Sequence, residues 1–259
     1  MSNEMINIQP PLAFIPPDFQ PGVLQVCQWV FPWWIRFRTP ITEIQTENVE
    51  QLVELYQQFQ QEKIRFMLAF RHPNPDDPLP ISQLFWRHIP QQAKKQGISL
   101  KPPIHAHFMY DRGIPLWAGN YVTWLFPKLG GTSILRGKLD RQGLRSARDL
   151  FVNGRFPIAA APEGATNGHN YRVSPLEPGI AQLGFWCVED LQKANRTEEV
   201  FMVPLGIQYH YIKDNWEALA QLLSEMETDC GLRTYNSQAT PSSLYPRLIN
   251  LGNYLLDLM

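Results

Sequence analysis

Four residues separate His72 from Asp77 in the stretch RHPNPDD, which follows an apolar run and is rich in proline. A carboxylate can accept a hydrogen bond from one ring nitrogen of a histidine. That fixes the tautomer and leaves the other nitrogen free to take a proton. A base placed this way against a hydroxyl contributes roughly 10²–10⁴-fold to a rate. Pro73, Pro75 and Pro78 each fix a backbone φ angle, so they can hold the pair at low entropic cost. Asp76 is the rival partner, and the H-x-x-x-x-D spacing favours Asp77. The bland reading of the same residues is a polar turn, which Pro, Asn and Asp favour in any protein.

Three later blocks weigh on that choice. GGTSILR places Arg136 directly after an apolar stretch, APEGAT places Glu163 and Gly164 after another, and VPLG sets Pro204 inside a third. In order and spacing, RHPNPDD and these three blocks resemble the glycerolipid acyltransferase family, which includes the 1-acylglycerol-3-phosphate acyltransferases. The likeness covers residues 64–210. No block is specific alone; four in order are.

The resemblance implies a mechanism and a set of roles. His72, oriented by Asp77, would deprotonate a lipid hydroxyl, which attacks the thioester of acyl-CoA or acyl carrier protein. No acyl-enzyme forms in that family, so no Ser or Cys nucleophile, cofactor or metal is implied. Arg136 would hold an acceptor phosphate through bidentate hydrogen bonds. Glu163 and Gly164 would shape the acceptor site, with backbone N–H groups nearby for the developing oxyanion. The chain departs from the family pattern at Ser133, where an aromatic is usual. It departs again at Ala161, Ala165 and Thr166, where Phe, Thr and Arg are usual. The expected phosphate pocket has therefore lost positive charge, which Arg172 or Lys138 can restore. An acceptor without a phosphate is the alternative, as is a catalytically silent lipid-binding protein that keeps the fold. A thioester hydrolase with water as acceptor is a third class.

The elements that must position these residues can be read from pattern. Val49, Leu52, Val53, Tyr56 and Phe59 share one face of a helix from a Thr46 cap to about Lys63. Ile64–Phe70 reads as a buried strand. Ser82 can cap a short helix ending near Ile89, because Pro90 follows. PPIHAHFMY is a strand or a loop, WAGNYVTWLFPKLGG is partly helical, and TSILRG is a short strand. Asp140 caps a helix that turns Leu144, Ala147, Leu150 and Phe151 inward and stops before Gly154. FPIAAAPEG is a strand and turn, and Pro178 starts a helix to about Asn195. VFMVPLGIQYHYI is a strand. Asp214 and Glu217 form a capping box for the next helix, and LYPRLINLGNYLLDLM is a final one. Strands alternating with helices define an α/β class: a mixed sheet flanked by helices, with an N-terminal helical or aromatic appendage. The expected division is 1–45, an arm and membrane-facing aromatic segment, and 46–259, the acyltransferase domain.

Composition narrows the partners. Hydrophobic residues make up 44% of the 259 and the net charge is -1, so the chain is globular and lacks the basic excess of a nucleic-acid binder. Cys27, Cys187 and Cys230 are few and widely spaced, as expected of free thiols in a reducing compartment. The polar first residues lack a basic leader segment. No apolar stretch reaches the length that spans a bilayer. Trp29, Trp33 and Trp34 beside Arg36 and Arg38 suit a membrane–water interface, although Trp clusters also fill cores. The expected setting is cytoplasmic, at a membrane surface, with a lysolipid acceptor. His105 and His107 would share a strand face, as metal ligands can, but no third ligand stands out.

Overall fold

The run Ile64–Phe70 forms strand β1, buried along nearly its whole length. The computed structural model of the chain describes residues 12–137, 139–233 and 239–258. Lys138 and residues 1–11 of the expected arm lie outside these. Four more strands join β1: β2 (His107–Asp111), β3 (Thr132–Ile134), β4 (Ile158–Ala160) and β5 (Glu199–Leu205). Their order is β3-β2-β4-β1-β5. Every pairing is parallel, with Leu68 opposite Ala159 and Val203, and His107 opposite Ile158. The expectation of a mixed sheet is corrected here. Each strand is followed by helix before the next begins, and such crossovers return the chain in the same direction.

Alternation along β1 sorts its side chains to two faces. Ile64, Phe66, Leu68 and Phe70 pack in the cluster of helix α2 (Val49–Gln60), together with Tyr56 and Phe59. Met67 points the other way. It meets Ala147 and Phe151 of α7 (Arg141–Asn153) and Leu183 and Cys187 of α8 (Pro178–Lys193). Parallel sheets are buried on both faces, which is why β1 reads as a continuous apolar run. Arg65 is the exception. Its buried guanidinium donates to the carbonyls of Phe151 (2.8 Å), Gly154 (2.8 Å) and Leu150 (3.4 Å), at the carboxyl end of α7. There it satisfies acceptors that the helix leaves open, and burial pushes its pKa down to about 10.

Several local readings hold and others do not. Asp140 accepts from the Gly143 N–H at 3.1 Å and caps α7, in which Ala147 and Phe151 are buried and Leu144 and Leu150 half-buried. Thr46 does not cap α2. The helix begins after Asn48, at φ 58°, a conformation that Asn tolerates. The helix expected to end near Ile89 runs on: α3 (Pro78–Gln83) passes through a π-turn (Leu84–His88) into α4 (Ile89–Lys95). The widened turn lets Pro90 fall in a new first turn, where its missing N–H costs nothing. Ser82 donates to Pro78 O at 2.7 Å instead of capping.

The aromatic segment is helix α1 (Pro21–Arg38), and the region before β3 holds α5 (Pro115–Ala118) and α6 (Tyr121–Lys128). α1 packs against α3 and α6. The chain falls into two compact units, one ending at Gln208 and one starting at Tyr209. The expected boundary at 45/46 does not coincide with that division, and α1 belongs to the first unit. The second unit contains α9 (Trp216–Asp229) and α10 (Pro241–Asp257). Leu223, Leu244 and Leu251 form its core, and Arg247 donates to both oxygens of Glu227 at 3.0 and 2.6 Å. α9 lacks the Asp214–Glu217 capping box; α10 has one, from Thr240 and Ser243.

Candidate active site

The carboxyl edge of a parallel sheet is where successive loops can bring side chains together. β1 delivers Arg71 and His72 to that edge, and β4 delivers Glu163. The ring Nδ1 of His72 lies 2.9 Å from Asp77 Oδ2. Asp77 is fully buried and also accepts from the Asn74 N–H at 3.0 Å. It occupies the position before α3 but does not cap that helix. Its carboxylate turns back to the histidine instead. Asp76 has no such contact with the ring; its N–H is held by Asn74 Oδ1 at 2.9 Å. The His72 side chain is 21% exposed, so the pair has one closed and one open end. With Nδ1–H donated to Asp77, Nε2 carries the lone pair.

Glu163 sits behind His72. Its side chain is 1% exposed and is filled by internal donors. Oε1 accepts from the His72 N–H at 3.1 Å, and Oε2 from Asn167 Nδ2 at 2.5 Å and the Ser174 N–H at 2.8 Å. Arg71 Nε approaches Oε1 at 3.5 Å. Burial raises the Glu163 pKa, but the hydrogen bonds from Ser174 and His72 and the Arg71 charge outweigh it and hold the carboxyl below its ordinary value. Arg71 in turn donates to the carbonyls of Asn170 (2.7 Å), His169 (3.0 Å) and Arg172 (2.5 Å). The segment from Asn167 to Ser174 is thus stitched to the residues on which His72 depends.

Gly164 closes the turn after β4, its N–H donating to Ala161 O at 3.0 Å. Its φ is +69°, and a Cβ would lie 3.0 Å from Glu177 Cγ, so the position demands glycine. The contacts of Glu163 and Gly164 are with the scaffold. Arg136 follows β3 on the same edge, with Nε 3.8 Å from Asp111 Oδ2 and a 45% exposed side chain. β2 and β4 intervene between β3 and β1. The strands that lead to Arg136 and His72 are thus three strand spacings apart, about 14 Å. The carbonyl of Arg172 is pinned by Arg71 and Asn167, and the residue is exposed.

Arg71 and Asn167 did not stand out in the sequence. Arg71 carried one usable signal: a charge at the end of an apolar strand, next to a histidine. Asn167 carried none. His105 and His107 are spent on the fold. His105 Nε2 meets Leu129 O at 2.8 Å and its Nδ1 accepts from Trp86 at 3.1 Å; His107 Nδ1 meets Gly130 O at 2.7 Å. Burial pushes both pKa values down to about 4. Among the described residues no group of three or more His, Cys, Asp or Glu is placed to hold a metal ion. A groove of about 820 Å³ runs between α1 and the segment joining α4 to β2, lined by Leu24, Gln28, Trp86, Leu100 and Ile104. None of the residues around His72 lines it. No family model, curated protein or solved structure matches the chain.

Proposed function

We propose that the chain is an O-acyltransferase of the glycerolipid type, working at a membrane surface and moving an acyl group from acyl-CoA or acyl carrier protein to a lipid hydroxyl. The observation that carries the reading is the 2.9 Å His72–Asp77 hydrogen bond, with a buried carboxylate and a partly open ring, at the carboxyl edge of a parallel sheet. His72 Nε2 takes the proton of the acceptor hydroxyl as its oxygen attacks the thioester carbonyl. The carbon–sulfur bond then breaks, and the imidazolium returns its proton to the leaving thiolate. Asp77 keeps the ring in the tautomer this needs and stabilises the imidazolium. Glu163 and Arg71 hold the backbone on which the ring is mounted.

A non-phosphorylated acceptor is the second reading. It is favoured by the occupancy of Arg71 by three carbonyls and by the two strands that stand between β3, which leads to Arg136, and β1, which leads to His72. A catalytically silent, lipid-binding role is the reading that activity would exclude. The membrane setting is supported by α1, whose Val26, Trp29, Trp33 and Phe37 form one exposed stripe ending beside Arg36 and Arg38. No helix among the described residues is long and apolar enough to cross a membrane.

The test is thiol release from acyl-CoA and from acyl carrier protein, with lysophosphatidate, lysophosphatidylcholine, diacylglycerol or no acceptor, for the native chain and His72→Ala. His72-dependent product with any lipid acceptor supports the reading. Release without lipid product points to a hydrolase, and no release with any donor points to the silent protein.

A further inference from the structure

We infer that α5 and α6 form a second lipid-contacting element, which completes with α1 one membrane-docking face on the β3 side of the sheet. The inference extends the membrane placement proposed above and stands apart from the acyl-transfer chemistry. α5 and α6 fill the crossover from β2 to β3. They leave Leu116, Trp117, Tyr121 and Trp124 between 54% and 69% exposed, while Val122 on the inner side is 2% exposed. Large aromatic side chains carry too much apolar surface to be left in water without reason, and clusters of them mark interaction sites. Trp and Tyr are the types that settle where hydrocarbon meets headgroups.

Two observations join this element to α1. α6 packs against α1, and the strand of chain leading into α1 is tied to the end of α6. The Asp18 N–H donates to Pro127 O at 2.9 Å, and that of Gln20 to Lys128 O at 2.8 Å. The charge pattern is also shared. The chain has 24 Asp and Glu, yet neither 21–38 nor 114–139 contains one, while the two segments hold Arg36, Arg38, Lys128, Arg136 and Lys138. The neighbouring carboxylates are those of Asp18, which pairs with Lys128, Asp111, 3.8 Å from Arg136, and the buried Asp140, which pairs with Arg112 and accepts from the Leu135 N–H at 2.8 Å. An aromatic surface flanked by cations and free of its own carboxylates is complementary to anionic lipid headgroups. On this view Arg136 and the 73% exposed Leu139 belong to the rim of the docking face.

The test is co-sedimentation of the full chain with vesicles of phosphatidylcholine, with and without phosphatidylglycerol, for the native protein, Trp117→Ser/Trp124→Ser and Trp29→Ser/Trp33→Ser. The replaced side chains are exposed, and circular dichroism checks that each variant folds. The expected result is stronger binding to the anionic vesicles and a several-fold loss of bound protein for each pair. Native-level binding by Trp117→Ser/Trp124→Ser would overturn the inference while leaving α1 as a docking helix. Failure of the native chain to bind either vesicle would overturn both. A lipid-free dimer dissolved by Trp117→Ser/Trp124→Ser would reassign the face to a second copy of the chain. Thiol release from a donor with a detergent-dispersed acceptor reports on the acyltransferase reading separately.

Discussion

His72, His105 and His107 sit at the sheet, and its two ends use them differently. At the carboxyl end, His72 gives one nitrogen to a buried carboxylate and keeps its ring partly open. At the amino end, His105 and His107 are enclosed, and each meets a backbone carbonyl. A carbonyl partner cannot neutralise an imidazolium, so burial keeps these two rings uncharged. A carboxylate partner makes the charged ring tolerable. The partner and the exposure, not the residue type, separate the histidine proposed as a base from the two that serve the fold.

The sharpest way to break this contrast is His72→Ala. Acyl transfer is expected to fall by roughly 10²–10⁴-fold with the far-ultraviolet circular dichroism unchanged; retained activity would remove the base from its assigned role. Glu163→Gln comes next. It keeps the shape of the side chain but removes the charge that gathers Arg71 and three N–H or amide donors. Stability measured by urea unfolding should drop by about 1–3 kcal/mol, and turnover should fall more than the acceptor KM changes. Native-like stability would mean that the Asn167–Ser174 segment is held by other contacts.

Acidification separates the two ends further. His105 and His107 have folded pKa values below the ordinary value of 6.5, at about 4. The unfolded chain therefore binds more protons between these limits, and the stability they contribute is present above pH 6.5 and lost as the pH falls towards 4. The urea midpoint should decline across that window, and His105→Phe should flatten part of the decline. The carboxyl of Glu163, held low, adds a loss at still lower pH. The smallest effect is expected from Arg136→Ala. With a soluble acceptor, the KM should shift by about twofold or less, as for an exposed residue away from the reacting groups. A large rise for a phosphorylated acceptor would bring Arg136 back into its site.

The local elements were legible where one physical signal dominated. β1 matches the run Ile64–Phe70 because burial on both faces leaves an unbroken apolar stretch. α7 starts directly after Asp140 because a capping carboxylate is a local device. The His72–Asp77 pair was legible for the same reason: five positions of chain, stiffened by proline, bring the groups together. What escaped depends on distant chain. The contacts of Glu163 come from positions 71, 72, 167 and 174, and no spacing announces them. The helix passing Pro90 escaped because a π-turn moved the proline into a position it tolerates. The all-parallel sheet was missed although its marks were present: helix stands between successive strands, and β1 is apolar on both faces.

Arg65 has a consequence for how the chain finds its register. A strand as apolar as β1 has little to tell one face from the other, since both are buried. Sliding it by one residue would exchange Phe66 and Met67 between the two clusters at modest cost in hydrophobic burial. It would also carry a guanidinium away from three carbonyls of α7, across 85 to 89 residues of chain, and leave them open. One charged side chain in an otherwise apolar strand thus acts as an index mark that favours one register over its neighbours.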